Sequence, residues 1–85
     1  MSYNVVITRR ARGELEAISS PSFEMIEEKL KTLADNPRPA GCKKLKGTER
    51  AWRIRAGDYR VVYEIDDAAR VVTVIKIGHR SDVYR

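Results

Sequence analysis

The sequence predicts an α+β domain in which an N-terminal helical hairpin packs on one face of a small, antiparallel-rich sheet. Three observations carry this prediction: one short β-branched segment, two apolar stripes at helical spacing after it, and three β-rich segments separated by turn residues. In the order β-α-α-β-β-β, the last three strands are joined by short turns and are expected to pair antiparallel. The two helices, which form a hairpin with one apolar side, are expected to pack together on one face of the sheet. The other face of the sheet is left for function.

The N-terminal elements are predicted from caps and helix breakers. Residues 3–7 are apolar and β-branched enough for a strand, and Thr8 is a suitable N-cap for the helix that follows. Ser20 is expected to cap a second helix, with Pro21 at its first position, and this helix stops at Asn36-Pro37. The apolar positions of the two helices are Ala11, Leu15 and Ile18, then Phe23, Ile26, Leu30 and Leu33.

The C-terminal half predicts three strands, at residues 51–56, 58–66 and 71–78. Glycine at the first central position is typical of a type II′ turn, so Gly57-Asp58 is expected to pair Ala56 with Tyr59 and Arg55 with Arg60. A slip by one residue would bury guanidinium groups, which favours this register. The predicted inward residues are Trp52, Ile54, Val61, Tyr63 and Ile65, and the predicted outward arginines are Arg53, Arg55 and Arg60.

The register of the last hairpin is less strongly determined, because residues 66–70 form a longer turn. Opposing Ile65 to Val71 brings Gly78 near Asp58, whereas a shift by one residue would change which side chains share a face. In the chosen register three further side chains are expected to emerge close to Arg55 and Arg60, namely His79, Arg80 and Tyr84.

The positive charge is concentrated in the second half of the chain. The formal charge is +5, and residues 41–85 carry eleven Lys/Arg against six Asp/Glu, whereas residues 1–40 carry six of each. This distribution favours nucleic acid or an acidic protein as partner. Cys42 and His79 are the only residues of their types, so we expect no disulfide, metal site or cofactor. With no signal peptide or membrane span evident, a cytoplasmic protein with one domain over residues 1–85 is expected.

The three outward arginines are a candidate anion-binding site. A single exposed arginine is more often solvated surface, but here Glu64 is the only acidic residue expected on that face of the strand, four positions from Arg60. A phosphate backbone could supply the missing charge through bidentate contacts. The basic segment Lys43, Lys44 and Lys46 is either a mobile loop or an adjunct that attracts phosphate. His79 either exchanges protons near neutral pH or merely ends a strand.

Two motifs resemble a known family: Trp-Arg-Ile-Arg-Ala-Gly-Asp-Tyr-Arg-Val-Val-Tyr at residues 52–63 and Ile-Gly-His-Arg-Ser-Asp-Val-Tyr-Arg at residues 77–85. They resemble the RelE branch of the RelE/ParE toxin superfamily. The resemblance implies a toxin of a type II toxin–antitoxin pair that cuts mRNA in the ribosomal A site without a metal. In that reaction the 2′-hydroxyl attacks the adjacent phosphodiester and leaves a 2′,3′-cyclic phosphate and a 5′-hydroxyl. The implied partners are a cognate antitoxin, the ribosome and mRNA, with operator DNA bound only by the toxin–antitoxin complex.

The resemblance places Arg53, Arg55, Arg60, Arg80 and Tyr84 at the family's site positions. Combined with the arguments above, it predicts that Arg55, Arg60, His79, Arg80 and Tyr84 are catalytic and that Arg53, Lys43, Lys44 and Lys46 bind RNA. Some members have lysines at positions 53 and 55; arginine does not lose its proton at working pH, so proton transfer would fall to His79, Tyr84, Glu64 or a ribosomal group.

Two alternatives share this fold. One is a ParE-like toxin that inhibits DNA gyrase by binding. The other is a non-catalytic toxin-like protein that acts only as a binding partner and co-repressor.

Overall fold

In a computed structural model, which describes residues 2–47 and 50–79, the chain forms two helices and a mixed sheet. Within these residues the elements are β1 (Asn4–Ile7), α1 (Arg9–Glu16), α2 (Ser22–Asp35), β2 (Lys43–Lys44), β3 (Ala51–Ala56), β4 (Tyr59–Asp66) and β5 (Val71–His79). The strand order is β1-β5-β4-β3-β2, with β1 parallel to β5 and the other neighbours antiparallel. The predicted α+β class is confirmed, and β2 is an addition to it.

The helix starts agree with the sequence except at one cap. The Thr8 hydroxyl accepts a hydrogen bond from the Ala11 N–H at 3.2 Å, as predicted for the N-cap of α1. At α2 the cap position is Pro21 rather than Ser20, and the Ser20 hydroxyl donates to Glu24 Oε2 at 2.7 Å. Because Pro21 takes the cap position, Ser20 stands one residue before it, and its hydroxyl bonds a side chain of the first helical turn.

The core lies between the helices and the inner face of the sheet. Its largest fully buried side chains are Tyr63, Ile26, Leu33, Ile77, Val61, Val72 and Val74. The hydroxyl of Tyr63 donates to the carbonyl of Pro37 at 2.8 Å, so the polar end of this buried ring is satisfied. Burial raises the pKa of the Tyr63 phenol, which therefore stays neutral and fixes the loop after α2 to the sheet.

The first hairpin has the predicted register. Arg55 lies opposite Arg60, Ile54 opposite Val61 and Trp52 opposite Tyr63. Gly57 has a φ of 62°, and Asp58 is not among the residues with positive φ, which agrees with a type II′ turn. The alternation of apolar and charged residues therefore identified both faces of β3 and β4 correctly.

The predicted register of the last hairpin is wrong. Ile65 lies opposite Val72, because Asp66 pairs with Val71 and its Oδ1 accepts from the Ala69 N–H at 3.0 Å, which closes a turn of residues 67–70. A β-bulge at Val62/Tyr63 then shifts the pairing once more. Together the two shifts place Gly78 opposite Arg60, two residues from the predicted position at Asp58.

A polar cluster joins three segments at the end of the sheet that carries the last turn. Both terminal nitrogens of Arg38 bond the carboxylate of Asp67, at 3.1 Å and 2.9 Å, and the Tyr3 hydroxyl donates to the same carboxylate at 2.7 Å. The hydrogen bond from Arg38, followed by that from Tyr3, lowers the pKa of Asp67 to about 2.

No helix among the described residues is long and apolar enough to cross a membrane.

Candidate nucleic-acid interface

Two neighbouring rows of side chains on the face of the sheet opposite the helices carry cations. Residues paired across antiparallel strands share a face, so the register alone defines these rows. One row runs Lys43, Arg53, Val62, Lys76, and the other runs Arg55, Arg60, Gly78. We call the cations of these rows, Lys43, Arg53, Arg55, Arg60 and Lys76, the basic face.

Arg55 and Arg60 are direct cross-strand neighbours at the centre of the basic face. Directly opposed residues have Cβ atoms about 4.5–5.5 Å apart, a separation at which like charges destabilise the pair. Arg55 Nε donates to the carbonyl of Gly57 at 2.9 Å, which uses only one of the N–H donors of its guanidinium. The hairpin turn thus orients Arg55 without neutralising it.

Arg60 has donors that the described residues leave unsatisfied. Its Nε and Nη1 atoms are each exposed by less than 1 Å² and have no hydrogen-bond partner in the part of the chain that the structure describes. A buried donor without an acceptor costs about 1–3 kcal/mol, and more when it is charged. Gly78, opposite Arg60 on β5, has no side chain to fill the position beside it. An anion that enters here would find desolvated, positively charged donors already in place.

His79 lies on the other face of the sheet. It pairs with Tyr59, and the two rings make an edge-to-face contact with centroids 5.7 Å apart. Tyr59 packs against the main core. The expectation that the His79 side chain emerges beside Arg60 is therefore wrong, because Gly78 takes the outer position and the next residue points to the helix side. Its catalytic role stays a prediction.

The predicted lysines do not all join the basic face. Lys43 pairs with Arg53 and lies on it, whereas Lys44 pairs with Trp52 and points to the helix side. Lys46 is exposed in the turn after β2. Their roles in RNA binding stay predictions, as do those of Arg80 and Tyr84, which lie outside the described residues.

Sequence reasoning missed Lys76. Its position depends on the bulge at Val62/Tyr63, which leaves Ile75 as the extra residue of β5 and pairs Lys76 with Val62. A signal was present in the sequence, because Val74-Ile75 breaks the alternation of β5 with two successive apolar residues. Ile75 packs on the outer face in a small cluster with Leu45, Ala51 and Val62.

The described residues do not supply an obvious metal site. No group of three or more His, Cys, Asp or Glu side chains in residues 2–47 and 50–79 is arranged to hold a metal ion. Cys42 is half-buried. The basic face itself presents guanidinium and ammonium groups, which can bind an anion.

Comparisons with known proteins identify the family of this chain. A family model described as the ParE toxin of the type II toxin–antitoxin system parDE matches residues 5–84. The chain is 36% identical over 84 residues to the toxin RelE of Mycobacterium tuberculosis, covering 98% of this chain and 87% of that protein. It is 34% identical over 88 residues to the mRNA interferase toxin RelE of Escherichia coli K12, covering 99% of this chain and 92% of that protein.

Solved structures give the same relationship. The isolated RelE toxin of Escherichia coli superposes with a TM-score of 0.81 at 32% identity, over 98% of this chain and 92% of that one. The RelE chain of an archaeal RelE–RelB complex from Pyrococcus horikoshii superposes with a TM-score of 0.84 at 27% identity, over 98% and 100%. The chain therefore belongs to the RelE/ParE superfamily of type II toxins, in its RelE branch.

Proposed function

We propose that this protein is the toxin of a type II toxin–antitoxin pair and that it cleaves mRNA on the ribosome, with the basic face as its RNA-binding surface. The observation that carries the proposal is Arg60, a half-buried arginine with two desolvated donors that the described residues leave without an acceptor. A scissile phosphate supplies such acceptors, and relatives over the whole chain are named mRNA interferases.

In the proposed reaction the 2′-hydroxyl attacks the neighbouring phosphorus, the bond to the 5′-oxygen breaks, and a 2′,3′-cyclic phosphate and a 5′-hydroxyl result. Negative charge accumulates on the non-bridging oxygens as the attack proceeds. Arg55 and Arg60 are placed side by side to stabilise that charge, and Arg53 and Lys43 lie in the next row to hold a neighbouring phosphate. Donors that are fixed before the reaction need no reorganisation during it.

Proton transfer must come from other groups, because arginines remain protonated at working pH. The candidates are Tyr84, His79, Glu64 and a ribosomal group. Glu64 lies on the outer face, since it pairs with Ala51 and Thr73, whereas His79 points to the helix side. We therefore expect His79→Ala to retain more cleavage activity than Arg60→Ala.

The proposed partners follow from the same surface. Similar solved structures include RelE–RelB toxin–antitoxin complexes from Pyrococcus horikoshii and Escherichia coli. For this chain we propose a cognate antitoxin whose acidic side chains cover the basic face, and a site of action on the ribosome in the cytoplasm. Binding of operator DNA is proposed only for the toxin–antitoxin complex.

The test is cleavage of mRNA on programmed ribosomes by the purified protein and its variants. Arg60→Ala is expected to lower the cleavage rate by about 100- to 1,000-fold, the effect of removing one donor to developing charge. Arg12→Ala is the matched control, because Arg12 is exposed on α1, on the helix side of the sheet. Equal cleavage by the wild type and Arg60→Ala would refute the proposed site.

A second candidate function is favoured by the matching family model, which bears the ParE name. A gyrase supercoiling assay with the same samples tests it. Inhibition of supercoiling without RNA cleavage would replace the nuclease by a gyrase inhibitor. A protein that does neither, yet binds its antitoxin, would be the non-catalytic co-repressor.

A further inference from the structure

Strand β5 loses its neighbour on one side halfway along its length. The parallel strand β1 pairs with β5 only as far as Ile7 opposite Val74. The N–H of Thr8 then donates to the carbonyl of Val74 at 3.0 Å, and the chain turns into α1. Residues 75–79 of β5, which include the positions nearest Arg60, therefore continue past the end of β1.

Where β1 ends, a side chain of α1 accepts a backbone hydrogen bond from β5. The N–H of Ile77 donates to Glu14 Oε1 at 2.9 Å, in a partly buried contact. The other carboxylate oxygen, Oε2, accepts from Arg10 Nε at 3.4 Å. Ile77 is 2% exposed, so without Glu14 its N–H would be a buried donor facing a helix rather than a strand. A hydrogen bond from an N–H to a carboxylate is shorter and stronger than one to a neutral group.

The anchored residue determines what stands beside Arg60. With the bulge, Ile77 lies opposite Val61 in the core and Gly78 opposite Arg60. Without the bulge, the register that starts at Tyr63 and Val74 would continue regularly, so Ile77 would lie opposite Arg60 and Lys76 opposite Val61. An isoleucine side chain would then occupy the position beside Arg60, and an ammonium group would enter the core.

We propose that Glu14 is a positioning residue for the basic face. By holding the N–H of Ile77 it keeps the β5 bulge in place, and so keeps Gly78 rather than the side chain of Ile77 opposite Arg60. The inference rests on the proposed RNA cleavage for its functional consequence. Its structural half, the anchoring of Ile77 by Glu14, stands independently of any activity.

The test compares three variants in the purified protein. Glu14→Ala removes the acceptor, Glu14→Gln keeps a carbonyl oxygen that can accept from Ile77, and Glu16→Ala removes an exposed carboxylate of the same helix. Glu14→Leu replaces the alanine variant should that variant not fold, because it keeps side-chain volume without an acceptor. Amide hydrogen exchange at Ile77 is measured without RNA. Single-turnover cleavage on programmed ribosomes is measured as a function of toxin concentration.

In Glu14→Ala we expect exchange at Ile77 to accelerate and the maximal cleavage rate to fall by about 10- to 100-fold, the range for groups that position a reacting residue. The half-saturating concentration should stay near the wild-type value, because the remaining cations still bind RNA. Glu14→Gln should restore both exchange and rate, and Glu16→Ala should change neither.

The outcomes separate the two proposals. Equal exchange at Ile77 in the wild type and Glu14→Ala would overturn the anchoring. Faster exchange with an unchanged maximal rate would overturn the positioning role, as would a glutamine variant that protects Ile77 yet cleaves as slowly as the alanine variant. Absence of cleavage by the wild type would instead overturn the proposed function, while the exchange data would still decide whether Glu14 holds Ile77.

Discussion

Arg60 is predicted to lower the stability of the free protein, and Arg60→Met is the substitution that tests it. Methionine keeps an unbranched apolar stem in the same space but has no charge and no N–H donor. Arg60 Nε and Nη1 are both buried without an acceptor among the described residues. Replacing the half-buried arginine by an apolar side chain of similar length removes the cost of its two desolvated donors.

The size of the effect follows from these two atoms. Each unsatisfied buried donor costs about 1–3 kcal/mol, and part of the sum is lost because methionine packs imperfectly in a site shaped for a guanidinium. We expect the free energy of unfolding to rise by about 1–3 kcal/mol. A rise of 1 kcal/mol corresponds to a Tm increase of about 4–8 °C in a domain of this size.

Arg55→Met is the matched control. Arg55 lies directly opposite Arg60, so either substitution removes the same cross-strand repulsion. Arg55 is exposed and donates to the Gly57 carbonyl, so its replacement relieves no desolvation and loses one hydrogen bond. The difference between the two variants therefore isolates the burial of the Arg60 guanidinium.

Urea denaturation followed by circular dichroism, in a buffer free of phosphate, measures both variants. The wild type should also be stabilised by added inorganic phosphate, and Arg60→Met should respond less. An unfolding free energy of Arg60→Met no higher than that of Arg55→Met would refute the reasoning, because Arg60 would then be satisfied in the folded protein.

Three further predictions concern the scaffold. Tyr63→Phe removes a buried hydrogen bond to a loop carbonyl and should lower the free energy of unfolding by about 1–2 kcal/mol in urea denaturation; an unchanged value would mean that water replaces the hydroxyl. Gly57→Ala should lower the free energy of unfolding, since a φ of 62° strains a residue with a Cβ, whereas Gly13→Ala, in a helix with nothing within 4 Å of the added Cβ, should raise it by about 0.5–1 kcal/mol; equal signs in urea denaturation would contradict this. The pKa of Asp67, about 2, lies below the unfolded value of about 3.9, so its ion pair stabilises above pH 4 and is lost as the pH falls through 2. The stability difference between the wild type and Asp67→Asn should shrink over that interval, and a constant difference would exclude this linkage.

The first hairpin could be predicted because two independent signals agree. The glycine of the turn defines the loop length, and the alternation of arginines with apolar residues makes any slip costly. Both signals are local, and the structure has Arg55 opposite Arg60 as they require. The positions of Arg55 and Arg60, the central cations of the basic face, could therefore be predicted from the sequence alone.

The last hairpin could not be predicted in the same way, because its register depends on two non-repeating features. The Asp66 side chain closes the turn, and the bulge at Ile75 inserts a residue, so a regular alternation extrapolates to the wrong partner. The parallel pairing of β1 with β5 joins residues far apart in the chain, and the short strand β2 has only two residues. Strands β1 and β2 are both too short for an alternation of apolar and polar residues to predict their pairing.

The two faces of the sheet have opposite thermodynamic roles. The inner face buries the core against both helices, while the outer face holds opposed arginines and desolvated donors that oppose folding. A partner that binds only the folded state raises the free energy of unfolding by RT ln(1 + [L]/Kd), about 4 kcal/mol at a concentration a thousandfold above Kd. An acidic antitoxin on the basic face would therefore inhibit the toxin and also supply acceptors that residues 2–47 and 50–79 do not provide for Arg60. If the antitoxin accepts from the donors of Arg60, as proposed, Arg60→Met will be more stable alone and gain less from the antitoxin.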